Sequence, residues 1–389
     1  MNTTFLHTAD WQLGKPFAGV DDVHKRSLIQ QERISVLQRV AQAAQIHGAE
    51  FILVAGDLFD SPSATKATVS AACAAIGAIQ MPVFVIPGNH DHGGPGSLWE
   101  QPFFQQERNQ LAQNLTVLLK PEPVELERAI LFPCPLLRRH ESADPTAWLR
   151  SMQAELGRFG DKPRIVLAHG SVQSFGSQED EEEGESGAIN QIDLLRLPAD
   201  FDYIALGDWH GMKQVGEKAW YAGTPELDRF PRGVGNDPGH VLIVSAQRGA
   251  SPEVKSERVA RLGWHQLAFE FSDDSGLARL EEQIEVLIGN RAQQDLLLLE
   301  LGGSLGIEAT TRLEQRLESW QARLLRMKLF NQTVVAPSSE EIEALTQRIS
   351  DPLIARVAAK LVASASGTGE DALCASIALR ELHAACREI

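Results

Sequence analysis

Apolar residues in the first 240 positions gather into short unbroken blocks. They are Phe5-Leu6, Phe51-Ile52-Leu53-Val54, Val83-Phe84-Val85-Ile86, Leu131-Phe132, Ile165-Val166-Leu167 and Tyr203-Ile204-Ala205-Leu206. Blocks of this length without polar alternation predict strands covered on both faces. Between the first two, Leu28, Ile29, Ile34, Leu37, Val40 and Ala44 keep helical spacing, which predicts a helix over 23–47. Ser61-Pro62-Ser63 closes a loop, an alanine-rich helix follows to about Gln80, and Pro82 opens the next strand. Strand, helix and strand at this spacing predict an α/β fold with parallel strands and helical crossovers.

The pattern changes near residue 241. Val241 to Ser245 and Trp264 to Phe271 read as strands, followed by a helix over 275–288 and the run Leu296 to Leu301. A helix over 307–321 and a strand over 324–330 complete an α+β segment. Pro337-Ser338-Ser339-Glu340 reads as a helix start with serine as its cap, and helices continue to the end with a break at 364–369. The expected domains are therefore 1–240, 241–335 and 336–389. The stretch 176–187, with Glu179-Asp180-Glu181-Glu182-Glu183 and three glycines, reads as a solvated loop.

Composition narrows the possibilities. An apolar fraction of 43% supports a sizeable core. No run of eighteen apolar residues occurs and no basic leader precedes an apolar stretch, so neither a membrane span nor a secretory signal is expected. The four cysteines form no CxxC pair, which fits a cytoplasmic protein. The net charge of −16 argues against a molecule that attracts nucleic acid over its whole surface. Residues 241–389 carry 16 Lys+Arg and 21 Asp+Glu, a balance of −5, which leaves −11 in residues 1–240.

Five of the strand-like blocks end at residues that can bind a metal: Asp10 and Gln12, Gly56-Asp57, Gly88-Asn89-His90-Asp91, His169-Gly170, and Gly207-Asp208-Trp209-His210. Ligands collect beyond the carboxyl ends of strands in open α/β sheets. Five such ends at one rim would bring together Asp10, Gln12, Asp57, Asn89, His169, Asp208 and His210. Two divalent cations and phosphoester hydrolysis follow. Asp57 is the candidate bridging carboxylate, and His90 would project beside the metals, free to act on the substrate. No nucleophile signature such as GxSxG is present, so water activated by the cations is the expected attacking group. The remaining histidines, His7 among them, read as ordinary, and His92 stays undecided.

The order DxQ, GD, GNHD, HG, GDxH resembles the calcineurin-like metallophosphoesterase superfamily. The segments His7 to Gly14 and Val54 to Asp60 are similar to its SbcD/Mre nuclease branch, including bacterial manganese-dependent DNA endonucleases of repair gene clusters. The resemblance implies a four-layer α-β-β-α sandwich with a smaller α+β capping domain and C-terminal helices. It implies that Asp10, Gln12, Asp57 and His210 hold one metal, and that Asp57, Asn89, His169 and Asp208 hold the other. His90 would protonate the leaving oxygen and Asp91 would orient it. Gln12 and Asp208 stand where most relatives have histidine. Oxygen-rich sites favour Mn²⁺. The implied activity is endonucleolytic cleavage of single-stranded DNA. The partners it implies are DNA-repair proteins (a helicase, a ligase or a coiled-coil ATPase), and no membrane. A small-molecule phosphodiesterase or nucleotidase and a degenerate, non-catalytic scaffold are the alternatives.

Overall fold

The computed structural model describes residues 1–172, 189–231, 236–335 and 338–386, and the acidic run at 179–183 lies outside them. The chain forms two compact units, Met1–Leu262 and Gly263–Ile389.

The first unit is built on two six-stranded sheets. One contains β1 (Asn2–Thr8), β2 (Ile52–Val54), β3 (Val83–Val85), β4 (Leu115–Val117), β13 (His240–Gln247) and β14 (Glu253–Arg258), in the order β14-β13-β1-β2-β3-β4. The other contains β5 (Val124–Glu125), β6 (Ile130–Cys134), β7 (Arg164–His169), β10 (Tyr203–Gly207), β11 (Lys213–Gln214) and β12 (Ala219–Tyr221), in the order β11-β12-β10-β7-β6-β5. Among the described residues, the short strands β8 (Ser171–Val172) and β9 (Gln191–Ile192) pair only with each other. Strands β1 to β4 are mutually parallel, as are β6, β7, β10 and β12, while the outer strands β13, β14, β5 and β11 are antiparallel.

Side chains alternate between the two faces of a strand, and the apolar blocks divide accordingly. Phe5, Leu53, Phe84, Leu131, Ile165, Leu167, Ala205, Leu242 and Val244 share one buried cluster between the sheets. Leu6, Ile52, Val54, Val83, Val85 and Ile243 turn the other way, onto α1 (Val23–Ile46), α2 (Lys66–Gly77) and α3 (Pro102–Leu111). The far face of the second sheet presents Ile130, Phe132, Val166 and Leu206. Among the described residues it packs on short 3₁₀ turns at Ala147–Arg150 and Leu156–Phe159 and on no long helix. The helix α1 starts where Asp22 accepts a hydrogen bond from the Lys25 backbone at 3.0 Å.

The boundary expected at 240 falls inside this unit. β13 pairs with β1 from Asn2↔Gln247 to His7↔Leu242, so the chain returns to the first sheet before leaving it. Its apolar run Val241 to Val244, buried throughout, carries no mark that separates an added strand of one sheet from the opening strand of another domain.

The second unit has a parallel sheet of β15 (Gly263–Phe271), β16 (Asp295–Leu305) and β17 (Arg326–Asn331), with β18 (Val334–Val335) also paired to β16. Its core joins Leu297, Leu299 and Leu301 to Leu280 and Ile284 of α4 (Gly276–Ile288) and to Leu313 and Leu317 of α5 (Ile307–Arg323). The helices α6 (Ser339–Thr346), α7 (Pro352–Ala365) and α8 (Glu370–Ala385) follow. Ser338 caps α6 in a capping box with Glu341, at the serine the sequence pointed to. Among the described residues, no helix is long and apolar enough to cross a membrane.

Candidate active site

The donors occupy turns that leave the parallel strands. Asp10 (φ 52°), Gln12 (φ 41°), Asp57 (φ 53°) and Asp208 (φ 107°) all have left-handed backbone, four of the seven non-glycine residues that do so among those described. Such conformations are uncommon outside glycine, asparagine and aspartate and concentrate at functional sites. Backbone bonds fix two of these turns: Asp10 N donates to Gly56 O at 3.1 Å and Gln12 N to Asp57 O at 2.9 Å. From α1 the buried Arg33 guanidinium reaches in and donates to Trp11 O at 2.8 Å, Asp10 O at 3.3 Å and Glu226 O at 3.0 Å. The glycines before the donors serve close approach. A Cβ on Gly88 would lie 2.1 Å from Asp57 Oδ1, and one on Gly56 would lie 2.2 Å from His169 Nδ1.

One part of the site is an acidic cage. Ligand atoms of Asp10, Asp57 and His169 lie within 4.8 Å of one another, and all three residues are buried. His169 Nδ1–H donates to Ala55 O at 2.8 Å. That turns Nε2 toward Asn89 Oδ1 at 3.0 Å, Asp57 Oδ2 at 3.6 Å and Asp208 Oδ1 at 3.7 Å. The Asp208 backbone N–H lies 3.2 Å from both Asp10 oxygens, and Ser171 Oγ donates to Asp208 Oδ2 at 2.9 Å. Burial opposes a charged His169, but Asp57, Asp10 and Asp208 outweigh it and raise the imidazole to about 9. Burial foremost, with the charges of Asp57 and Asp208, raises Asp10 well above the usual carboxylate range. A cage that holds protons this tightly is short of positive charge. Its carboxylate, amide and imidazole donors fit a divalent cation, which would supply that charge in place of the protons.

The other part is organised around His210. Its Nδ1–H donates to Asp228 Oδ1 at 3.0 Å. Burial lowers the His210 pKa despite the neighbouring carboxylate, which favours the neutral ring. Burial works against a charged Asp228 as well, yet His210, Lys15 and Arg229 outweigh it and hold that carboxyl well below its ordinary value. Gln12 Nε2 stands 3.3 Å from His210 Nε2, while Lys15 Nζ donates to Gln12 Oε1 at 2.7 Å.

His90 borders the cage. Its backbone N–H donates to Asp57 Oδ1 at 2.9 Å, and its Nδ1–H donates to the Asp60 carbonyl at 2.8 Å. Nε2 is 4.0 Å from Asp57 Oδ2, and the side chain is 37% exposed, enough for a substrate oxygen to reach it. The orienting role expected of Asp91 falls to Asp60. Asp91 is buried and accepts from Gly88 N at 2.8 Å and Phe59 N at 3.0 Å, so it fastens two loops and does not face the imidazole. Its carboxyl is pushed up to about 7 by burial and then by the charge of Asp57. His7 is an ordinary core residue: it bonds the Tyr203 hydroxyl and the Leu206 carbonyl, and burial lowers its pKa to about 3. His92 makes no hydrogen bond through its buried Nδ1.

Arg33, Lys15, Asp60 and Asp228 escaped the sequence reading. Arg33 broke the apolar stripe of a predicted helix, and an arginine on the inward face is the one signal that could have marked it. Lys15 and Asp228 sit in loops and lack any pattern of their own, and Asp60 meets His90 through its backbone carbonyl, which no side-chain pattern marks.

Comparison with known proteins agrees with this geometry. Residues 3–230 match the model of the calcineurin-like phosphoesterase family. The chain is 27% identical over 259 residues to the SbcD component of the nuclease SbcCD from Escherichia coli K12, covering 57% of this chain and 60% of that one. It is 24% identical over 225 residues to the SbcD component from Staphylococcus epidermidis, covering 53% and 56%. It thus spans little more than half the length of these relatives. A dimetal phosphatase from Danio rerio aligns with 65% of the chain at 11% identity and a TM-score of 0.35, too low to carry an argument. By the extent of the family match, this chain belongs to the calcineurin-like phosphoesterases.

Proposed function

We propose that this chain is a divalent-cation-dependent DNA phosphodiesterase that cuts single-stranded DNA internally, with Mn²⁺ as its working metal. The observation that carries the reading is the buried cage of Asp10, Asp57 and His169 with the accessible His90 at its border. In this reading Asn89, His169, Asp208 and Asp10 serve the cage, Gln12 and His210 serve the adjoining position, and Asp57 is shared between the two. Bound cations would polarise the phosphoryl oxygens and activate water at neutral pH. The chain's own residues do the rest. The Asp60 carbonyl takes the Nδ1–H of His90 and turns Nε2 outward, and the imidazolium form would donate its Nε2 proton to the departing oxygen. Ala55 and Asp228 fix the two ligand imidazoles through their Nδ1–H groups. The wealth of oxygen donors favours Mn²⁺ over Zn²⁺. Two relatives named as components of a nuclease support DNA as substrate and a further DNA-repair protein as partner.

Circular single-stranded DNA incubated with each divalent metal tests this. Mn²⁺ should linearise the circle, Mg²⁺ less well and Zn²⁺ poorly. Circles left intact while linear DNA is degraded from its ends would remove the endonuclease assignment.

A further inference from the structure

We propose that the two metal positions are unequal, and that Lys15 makes them so by locking Gln12 in an orientation that closes the Gln12/His210 position. The inference rests on the two-metal reading above and deepens it. Lys15 belongs to none of the donor motifs. Its Nζ contacts Gln12 Oε1 at 2.7 Å, Asp228 Oδ2 at 2.8 Å and Asp60 Oδ1 at 3.6 Å.

The hydrogen-bond chemistry of these side chains favours one arrangement. An ammonium only donates, so the Gln12 atom against Lys15 is the amide oxygen. The atom 3.3 Å from His210 is then the amide NH₂, which also only donates. Two groups meet His210 Nδ1: Asp228 Oδ1, an acceptor, at 3.0 Å and Arg229 Nη2, a donor, at 3.3 Å; the nearer carboxylate, which only accepts, sets the hydrogen on Nδ1. The neutral ring keeps its lone pair on Nε2, and the Gln12 NH₂ meets it. Lys15, Gln12, His210 and Asp228 therefore close into a ring in which each contact fixes the next.

A cation at this position needs the His210 Nε2 lone pair and the Gln12 oxygen, and both are engaged. Turning the amide to free the oxygen would set NH₂ against the Lys15 ammonium, two donors with no acceptor between them. The acidic cage has no such lock: Asp10, Asp57 and Asp208 set carboxylate oxygens around His169 Nε2, and a cation there relieves their repulsion. The cage loads first. The Gln12/His210 position should need about tenfold to a hundredfold more free metal, the worth of one charge-assisted hydrogen bond.

The test is stepwise addition of Mn²⁺ to the metal-free full chain, followed by equilibrium dialysis and electron paramagnetic resonance. The first equivalent should give an isolated Mn²⁺ spectrum. A spin-coupled pair should emerge only with the second, weaker event. Lys15→Met should narrow the gap so that the coupled spectrum emerges at lower Mn²⁺. Lys15→Gln is the second variant, because it leaves an N–H donor near Asp228 yet can accept from a turned Gln12, and it should narrow the gap as well. His210→Ala should remove the weaker event and keep the stronger. Two ions bound with one affinity, an unchanged gap in a folded Lys15 variant, or a weaker event that survives His210→Ala would overturn the inference while leaving the two-metal reading intact. Absence of any Mn²⁺ binding would overturn both.

Discussion

His169 and His210 are the two imidazoles of the site, and their surroundings push them in opposite directions. His169 gives its Nδ1–H to a backbone carbonyl and turns Nε2 to a set of carboxylates, which raise it to about 9. His210 gives its Nδ1–H to the carboxylate of Asp228 and turns Nε2 to an amide, and burial lowers it. The charge that binds a cation lies beside the first ring and behind the second. Similar ligands therefore make one position an ion trap and the other a conditional site.

The strongest way to break this contrast is to remove Asp57, the carboxylate proposed to serve both positions. Asp57→Asn should lower Mn²⁺ at both and cost about a thousandfold or more in DNA cleavage, measured by metal analysis and by nicking of circular DNA. A variant that loses only one ion would mean that Asp57 does not bridge. His90→Asn stands outside both positions. It should keep the metals yet lose about 10²–10⁴-fold on DNA, with a smaller loss on a nitrophenyl phosphodiester, whose leaving group needs no proton. Equal losses on the two substrates would show that His90 does not act as an acid.

Asp228→Asn sharpens the comparison from the His210 side. Its cost should be about 10–100-fold in metal affinity or activity, confined to the weaker of the two binding events. Asp91→Asn should act on stability, by about 1–3 kcal/mol, because one backbone N–H of the Gly88–Phe59 clamp would face an amide NH₂. Denaturant midpoints measure that loss, and a loss of activity without loss of stability would restore a role for Asp91 at His90.

The smallest effect concerns pH. Metal-free His169, raised to about 9, is protonated at neutral pH, so a cation entering the cage expels a proton. Mn²⁺ affinity should rise with pH and level off near 9. Calorimetry in buffers of different ionisation enthalpy should register the released proton. An affinity that is flat between pH 7 and 9 would contradict this.

Much of the catalytic unit was legible because buried strands and the donors at their ends are adjacent in sequence. Phe51 to Val54 followed by Gly56-Asp57 states both the strand and what it delivers. What supports the donors was not legible. Arg33 binds turns far from it in sequence, Asp228 meets His210 from a loop, and β13 joins β1 across more than two hundred intervening positions. The role first given to Asp91 shows the same limit. The resemblance implied a partner for His90 in Asp91, but the carboxylate points back at Gly88 and the imidazole finds the Asp60 carbonyl instead.

The left-handed backbone at Asp10, Gln12, Asp57 and Asp208 restricts which residues these positions accept. Asparagine and glycine enter that region readily, whereas branched side chains pay a steric penalty there. Alanine scanning would thus report two losses together, the missing donor and a backbone that no longer suits its residue, while asparagine isolates the first. The same restriction bears on transplantation. The seven donor side chains copied onto the strand ends of another scaffold, with ordinary backbone angles, would diverge, so the portable unit of this site is its set of turns.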